Sequence, residues 1–503
     1  MTDIEQHFRA VAAIDPAATA LWYEERGYSW GELSAVAEGV GKALRAGGVE
    51  PGQAVSWVAR NHPAMVAGAL GLLMAGNCIT PINPHVAQEK YASDLEKFNR
   101  PAILAAPQDW TEAAIAVARR IGAIALSLHI GDADPVRIVD GLDRAGPGPF
   151  GNNPPDTVLE RISSGTTGDP KRFLVDRKTF MKALGYSNSS EPGAKPDEGP
   201  SLKRSGTLIF STFAHSAGLW NTVTALYQGR PIILHDRFTV EGWHRSVKRF
   251  RPKLLSLMPA MISMVMEADI PPEDLSSLIA LRTGSAPLPV ETQRAFEAKY
   301  GVPILIDYGA SEFMGGIASW SLADRRTFGD SKMGSVGRLR PDMQAKVTER
   351  GSETPLPPRE KGILWLKTDR HGPDWVATTD LASIDEDGFL YLHGRADEAI
   401  NRGGFKVLPE EVADVLRQHE GVREVAVLGI KDKRLGEVPI AIIEPFPGRP
   451  APTPEELEAF GRARMPAYFV PTGYEYVDEM PRTNSLKISR PALRTMFAEK
   501  YAF

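Results

Sequence analysis

Between residues 28 and 84 the apolar positions change period repeatedly. Residues 33–46 place apolar side chains on one face at helical spacing, 54–59 form a short solid apolar run, 63–76 are apolar on every side, and 78–82 form a second short run. Helical period alternating with solid runs of strand length predicts helix, strand, buried helix and strand, the βαβ rhythm of a parallel sheet covered by helices. A Gly/Pro/Asn-rich segment at 146–155 and a polar stretch at 187–200 break this rhythm. Further strands are expected at 207–211, 231–234, 254–257, 281–284 and 304–306, so the chain up to residue 396 reads as α/β throughout.

After Gly394 the units shorten: a helix at 409–419, strands near 425–428 and 440–443, and a helix opened by Thr453-Pro454-Glu455-Glu456. Thr at the cap, Pro first and Glu third make a capping box. The boundary is placed close to Asp397. The expected fold is therefore α/β, with a large N-terminal multi-subdomain unit (residues 1–396) followed by a small C-terminal α+β domain (residues 397–503).

Charge then narrows the possible partners. Lys and Arg total 58 against 63 Asp and Glu, a net charge of -5 with no long run of one sign. That balance argues against a broad footprint for nucleic acid or an anionic membrane, and favours a small ligand. The apolar segment 63–76 is shorter than the roughly 20 residues that span a bilayer, so no membrane span is expected. Cys78 is the sole cysteine, which leaves neither an internal disulfide nor a multi-cysteine zinc site and suits a reducing compartment. The N-terminus lacks an apolar core after a basic start, so the expected location is cytoplasmic. Met258, Met261 and Met264 recur every three residues, which suits a helix core face or, less commonly, an adaptable pocket wall.

The sharpest chemical signal is S-S-G-T-T-G-D-P-K, comprising Ser163, Ser164, Gly165, Thr166, Thr167, Gly168, Asp169, Pro170 and Lys171. Backbone N–H groups freed by glycine, flanking hydroxyls and a terminal ammonium suit a loop around phosphate oxygens. It is not a Walker loop, because Lys171 follows Pro170 and precedes Arg172. Taken by itself the composition also fits a surface turn.

Here the chain resembles the adenylate-forming superfamily of acyl-CoA synthetases, adenylation domains and beetle luciferase. The resemblance continues in order along nearly the whole chain. Ser211-Thr212-Phe213-Ala214-His215 is similar to the family's aromatic and histidine motif, and Gly284-Ser285-Ala286-Pro287-Leu288 to the turn beside adenine. Asp307-Tyr308-Gly309-Ala310-Ser311-Glu312 resembles Y-G-x-T-E. Thr379-Asp380, Gly394-Arg395-Ala396-Asp397 and Pro481-Arg482-Thr483 through Lys487 resemble the ribose, hinge and C-terminal lysine motifs. Arg172, Thr379 and Leu486 stand where relatives usually have glycine, and Glu398 where a second Asp is common.

The resemblance implies ATP as a substrate and Mg²⁺ as cofactor, with CoA as co-substrate. It gives the phosphates to residues 163–168 and Lys171, and the nucleoside to Gly284, Ser285, Ala286, Asp307, Tyr308, Gly309, Ser311, Asp380 and Arg395. A flat ring beside a glycine suits a purine, and an ionised carboxylate can accept both ribose hydroxyl protons. It makes Glu312 the magnesium ligand and Lys487, with His215, part of the catalytic set. A mobile cation such as Lys487 offsets the charge that gathers when a carboxylate attacks a polyphosphate.

The implied acid pocket draws on Phe213, Ser216, Gly218, Pro259 and Met314. No carboxylate stands at Ala214, His215 or Ser216 to pair with a substrate ammonium, so an apolar aliphatic or aromatic acid is expected rather than an amino acid. Asp397 is the implied hinge. Gly403 and Gly404 are either a close-approach segment over the thiol channel or a plain turn before the next helix. With the chain ending soon after Lys487, the acyl acceptor is expected to be free CoA or a separate carrier protein.

Overall fold

The computed structural model describes residues 4–162, 172–189, 199–310, 313, 315–368, 372–483 and 486–503. Two compact units divide the chain, Met1–Ser256 with Met264–Ile279 and Leu257–Ser263 with Ala280–Phe503.

In the first unit a seven-stranded sheet runs in the order Val136–Ile138, Ile124–Leu128, Ala102–Ala105, Ala54–Val58, Cys78–Ile82, Thr157–Ile162 and Arg172–Asp176. The inner pairings are parallel, with Ala54 opposite Cys78 and Ile79 opposite Leu159, and only the two edge strands run antiparallel. Every residue of Ala54–Val58, Cys78–Ile82 and Ile124–Leu128 is buried, as expected where helices cover both faces of a parallel sheet. One of those covers is the helix Pro63–Ala75, buried from Pro63 to Met74 and started by His62, whose Nδ1 accepts the Ala64 N–H. A second sheet of this unit pairs Thr207–Ile209, Ile232–Leu234, Thr19–Tyr23 and Arg26–Ser29. The helix Arg177–Ser189 runs into the stretch expected to be loop from 187 onward. Among the described residues no helix is long and apolar enough to cross a membrane.

The second unit departs from the α/β pattern expected up to residue 396. Strand Ala280–Gly284 is parallel to Ile304–Ala310, but Gly315–Ser319 and Arg338–Leu339 add on antiparallel. Met343–Thr348, Gly362–Thr368, Val376–Ile384 and Leu390–Arg395 then form a wholly antiparallel meander with no helix between them. The chain turns back at Gly351 and Gly388, both at positive φ, and successive strands pair directly as antiparallel neighbours, where a parallel pairing would require a helical crossover. Gly362–Thr368 alternates buried and half-buried positions along its length, the mark of a sheet with two unlike faces.

Beyond it Val422–Asp432 and Gly436–Pro445 pair as a long hairpin. Val425, Val427 and Ile443 face Val412, Leu416 and Leu457, while Ala426, Leu428, Ile440 and Ile442 face Leu493 on the other side. The expected helix at 409–419 spans Pro409–Leu416. The helix Pro454–Arg462 starts with both bonds of the expected capping box, Glu456 N–H to Thr453 Oγ1 and Thr453 N–H to Glu456 Oε2.

Candidate functional site

In the first unit the aromatic and histidine loop is set by its own backbone. His215 caps the helix Ser216–Tyr227, its Nδ1 accepting the Ala217 N–H at 3.3 Å. Asn61, 1% exposed, spans the loop: its Nδ2 donates to Ser211 O (3.1 Å) and His235 O (3.0 Å), and its Oδ1 accepts the Phe213 N–H (2.9 Å). Phe213 exposes nothing and stacks on Trp57 at 5.7 Å between ring centres. A Cβ on Gly218 would lie 2.3 Å from Thr212 O and 2.5 Å from Ser211 O. The space that glycine leaves is therefore filled by its own loop. The side chain of Ser216 lies outside the described residues.

Ser163, Ser164, Gly165, Thr166, Thr167, Gly168 and Lys171 also lie outside the described residues; the strands that flank them, Thr157–Ile162 and Arg172–Asp176, do not. The two strands are tied by Glu160, which is fully buried. Its Oε1 accepts from Thr80 Oγ1 (3.0 Å), Arg100 Nη2 and Asn153 Nδ2, and its Oε2 accepts from Arg172 Nη2. Arg172 is thus one of two guanidinium partners of a desolvated carboxylate.

In the second unit the residues assigned to the nucleoside gather along two strand ends. Gly284 pairs in register with Asp307, and a Cβ there would meet Asp307 O at 2.4 Å. Ser285 follows at φ 72° and is exposed, with Ala286 half-buried after it. Asp307 takes Arg282 Nη1 on both oxygens, at 2.9 and 3.1 Å; burial pushes its carboxyl up while that guanidinium pulls it down. Next along, the Tyr308 hydroxyl donates to Asp380 Oδ2 and Gly309 is exposed. Asp380 stands opposite Arg395 in the antiparallel ladder. Arg395 in turn forks onto Asp397, Nε to Oδ1 at 3.0 Å and Nη2 to Oδ2 at 2.8 Å, which holds the Asp397 carboxyl below the usual range.

Sequence reasoning reached Asp307, Tyr308, Asp380, Arg395 and Asp397 but not Arg282. Ser311, Glu312 and Met314 lie outside the described residues. Among the described residues no three metal-ligating side chains cluster. The implied magnesium ligand, Glu312, is among the residues outside those described. Pro259 is buried and opens the helix Pro259–Glu267. Of the three methionines, Met261 is buried, Met258 half-buried and Met264 36% exposed. Each three-residue step turns a helix by about 300°, so such a series drifts off the core face.

Lys487 is presented by a closed loop. Arg482 and Ile488 bridge, Thr483 N–H bonds Lys487 O (2.8 Å), Ser489 N–H bonds Pro481 O (2.7 Å), and Arg482 Nη1 donates to Leu486 O (2.9 Å). Leu486 holds φ 56°, the left-handed region where relatives place glycine. Burial pushes the Lys487 ammonium below the ordinary lysine value. Among the described residues no carboxylate pairs with it. Gly403 and Gly404, with φ of 59° and 90°, are the two-residue turn of the hairpin Ile400–Arg402 and Phe405–Val407. Positive φ at both positions is what such a turn demands, so the turn reading accounts for both glycines by itself.

Two family profiles match the chain: "AMP-binding enzyme" over residues 8–372 and "AMP-binding enzyme C-terminal domain" over residues 411–487. A feruloyl-CoA synthase from Amycolatopsis is 28% identical, with 97% of each chain covered. An indoleacetate–CoA ligase from Aromatoleum aromaticum is 27% identical over the same shares. Among solved structures, ATP-bound MatB from Rhodopseudomonas palustris superimposes with a TM-score of 0.81 at 21% identity, covering 98% of this chain and 99% of that one. Profiles that together span most of the sequence, over a fold shared almost end to end, make the chain a member of the AMP-binding enzyme family.

Proposed function

We propose that the protein is an AMP-forming carboxylic acid–CoA ligase acting on an apolar, most readily aromatic, acid. A carboxylate oxygen of the acid attacks the α-phosphorus of ATP and the bond to pyrophosphate breaks. The CoA sulfur then attacks the acyl carbon of the mixed anhydride, and AMP leaves with the electron pair of the broken C–O bond. Tyr308 flanks the purine, Asp380 accepts the ribose hydroxyl protons, and Arg395 supports them across the ladder. Lys487 neutralises the charge that builds between carboxylate and α-phosphate.

The observation that carries this reading is the Lys487 ammonium, desolvated and without a carboxylate partner among the described residues. A cation kept that way is costly unless an anion joins it. The aromatic acids named for the two relatives support the substrate class. Asp397 is the pivot between residues 1–396 and 397–503. It borders an open cleft of about 230 Å³ lined also by Trp365, Thr379 and Ala396.

The test is acid-dependent ATP–pyrophosphate exchange over a panel of aryl and alkyl acids, followed by thioester formation with CoA and with a phosphopantetheinylated carrier protein. Exchange and CoA thioester with an aromatic acid are the expected results, with Lys487→Ala abolishing the exchange. Exchange without CoA thioester but with carrier loading would make the protein a stand-alone adenylation enzyme. ATP binding without exchange on any acid would make it a nucleotide-binding pseudoenzyme.

A further inference from the structure

The loop that presents Lys487 is followed directly by Arg490, the first residue of the helix Arg490–Met496. Its guanidinium forks: Nη1 donates to Glu398 Oε2, and Nη2 donates to Glu410 Oε1 at 2.5 Å. Glu398 is the residue after Asp397. Glu410 sits in the first turn of the helix Pro409–Leu416. The other oxygen of Glu398 lies 4.0 Å from Arg395 Nε, so charges of alternating sign run Arg395, Glu398, Arg490, Glu410. Glu398, Arg490 and Glu410 are only a quarter to a third exposed. Burial drives the Arg490 guanidinium down to about 10 and the Glu410 carboxyl up. In such surroundings a forked guanidinium is screened little and holds geometry well.

We propose that Arg490 is the positioning residue for Lys487, clamping the lysine loop to the first residue beyond the pivot so that the loop turns with it as one body. The proposal rests on the roles given above to Lys487 and Asp397. Two clamps flank the pivot. Arg395 holds Asp397 on one side, and Arg490 holds Glu398 on the other, which confines flexure to the backbone between them. The hairpin Ile400–Arg402 and Phe405–Val407 is fixed separately, through Arg402 opposite Gly436 in the main sheet and Gly403 N–H to Leu435 O (2.7 Å). Loosening Arg490 therefore frees the lysine loop without freeing the glycine turn. The first half-reaction should suffer and the second should not.

Glu398 supplies a second handle. Glu398→Asp keeps the charge while shortening its reach by one methylene. The clamp then opens on the Glu398 side while Arg490 keeps Glu410, so folding is preserved.

The test compares Arg490→Met, Arg490→Lys, Glu398→Asp and Lys487→Ala in both half-reactions, with thermal unfolding as the control. For Arg490→Met, misplacement on the order of 1 Å predicts a fall of about 10- to 100-fold in the kcat of acid-dependent pyrophosphate exchange, with the KM for ATP within about twofold. Thioester formation from supplied acyl-AMP should stay within about threefold of the parent. Glu398→Asp should show the same split at smaller amplitude, and Arg490→Lys, which keeps one contact, should recover part of the loss. Equal loss of both half-reactions, or parent rates in both, overturns the proposal. Where Arg490→Met is not folded, Glu398→Asp decides on the same criteria. Parent exchange in Lys487→Ala would instead overturn the assignment of Lys487, and that result is read independently of the Arg490 series.

Discussion

Replacing Gly218 by alanine adds one methyl group at a place where the backbone of its own loop already stands. At 2.3 Å from Thr212 O and 2.5 Å from Ser211 O, that methyl falls about 0.7 Å short of the closest approach real side chains make, so the backbone must move. The loop cannot give way freely, because Asn61 fixes it on both sides of Thr212. Two effects oppose each other. Alanine within a helix gains about 0.5–1 kcal/mol over glycine, whereas overpacking a filled site costs about 1–3 kcal/mol. The cost wins, and Gly218→Ala should be destabilised by about 1–2 kcal/mol, a drop of several degrees in Tm. Because the displaced segment carries Phe213 and His215, the KM for the acid should rise while the KM for ATP changes little. Gly185, exposed in the helix Arg177–Ser189 with nothing within 4 Å of a Cβ, provides the control: Gly185→Ala should gain about 0.5–1 kcal/mol. Thermal melts and initial rates on both variants are sufficient. A Gly218→Ala protein that melts with the parent and keeps its acid KM would refute the close approach on which the argument stands.

Asp380→Ala should raise the KM for ATP by about 10- to 100-fold, the loss expected for hydrogen bonds to a charged acceptor; Tyr308→Phe should move the same constant less, and an effect confined to the acid KM would remove both from the nucleoside site. Burial of the Lys487 ammonium means that the unfolded chain holds this proton to higher pH than the native one. Stability should accordingly rise, while adenylation falls, as pH climbs through the window between the depressed native value and the ordinary lysine value; Lys487→Arg should shift the alkaline limb of a pH–rate profile upward, and an unmoved limb would separate it from Lys487. Leu486→Gly releases about 1 kcal/mol of left-handed strain and returns a similar amount as chain entropy, so its Tm should stay within about 2 °C of the parent, while β-branched Leu486→Val should melt lower. Cys78, buried and with its thiol pushed up to about 12, should resist alkylation at pH 8 in the native protein and titrate as one thiol in denaturant; native labelling at the denatured rate would contradict its burial.

The strands of the parallel sheet were legible because burial on both faces writes an uninterrupted apolar run, as at Ala54–Val58 and Cys78–Ile82. The meander from Met343 to Arg395 escapes an α/β reading of the sequence because its strands are half-buried and are not written as the solid apolar runs of the parallel sheet. The alternation in Gly362–Thr368 carried that information. Tyr308, Asp380 and Arg395 emerged from motif order. Asn61, Glu160 and Arg490 did not, because each acts on partners far along the chain: Asn61 on Ser211 and Phe213, Arg490 on Glu398 and Glu410. No local spacing encodes a contact made only when distant segments close. The paired glycines at 403 and 404 carried a turn signal strong enough to account for them without invoking a ligand.

The carboxylate of Glu160 has a consequence for how this sequence can drift. It sits fully buried between the guanidinium groups of Arg100 and Arg172, with Thr80 and Asn153 completing its shell. Losing the glutamate first would strand Arg100, which is 1% exposed, and leave an uncompensated buried charge, worth about 3–5 kcal/mol when a buried pair is broken, whereas losing Arg100 first leaves the glutamate with Arg172, Thr80 and Asn153. Arg172, nearly half exposed, is the member that can leave at least cost. Glu160 should therefore leave this chain's lineage only with or after Arg100, and one of the two arginines should be lost only while the other stays. An inheritance pattern in which Glu160 persists with apolar residues at both 100 and 172 would require a new cation to have entered the same pocket.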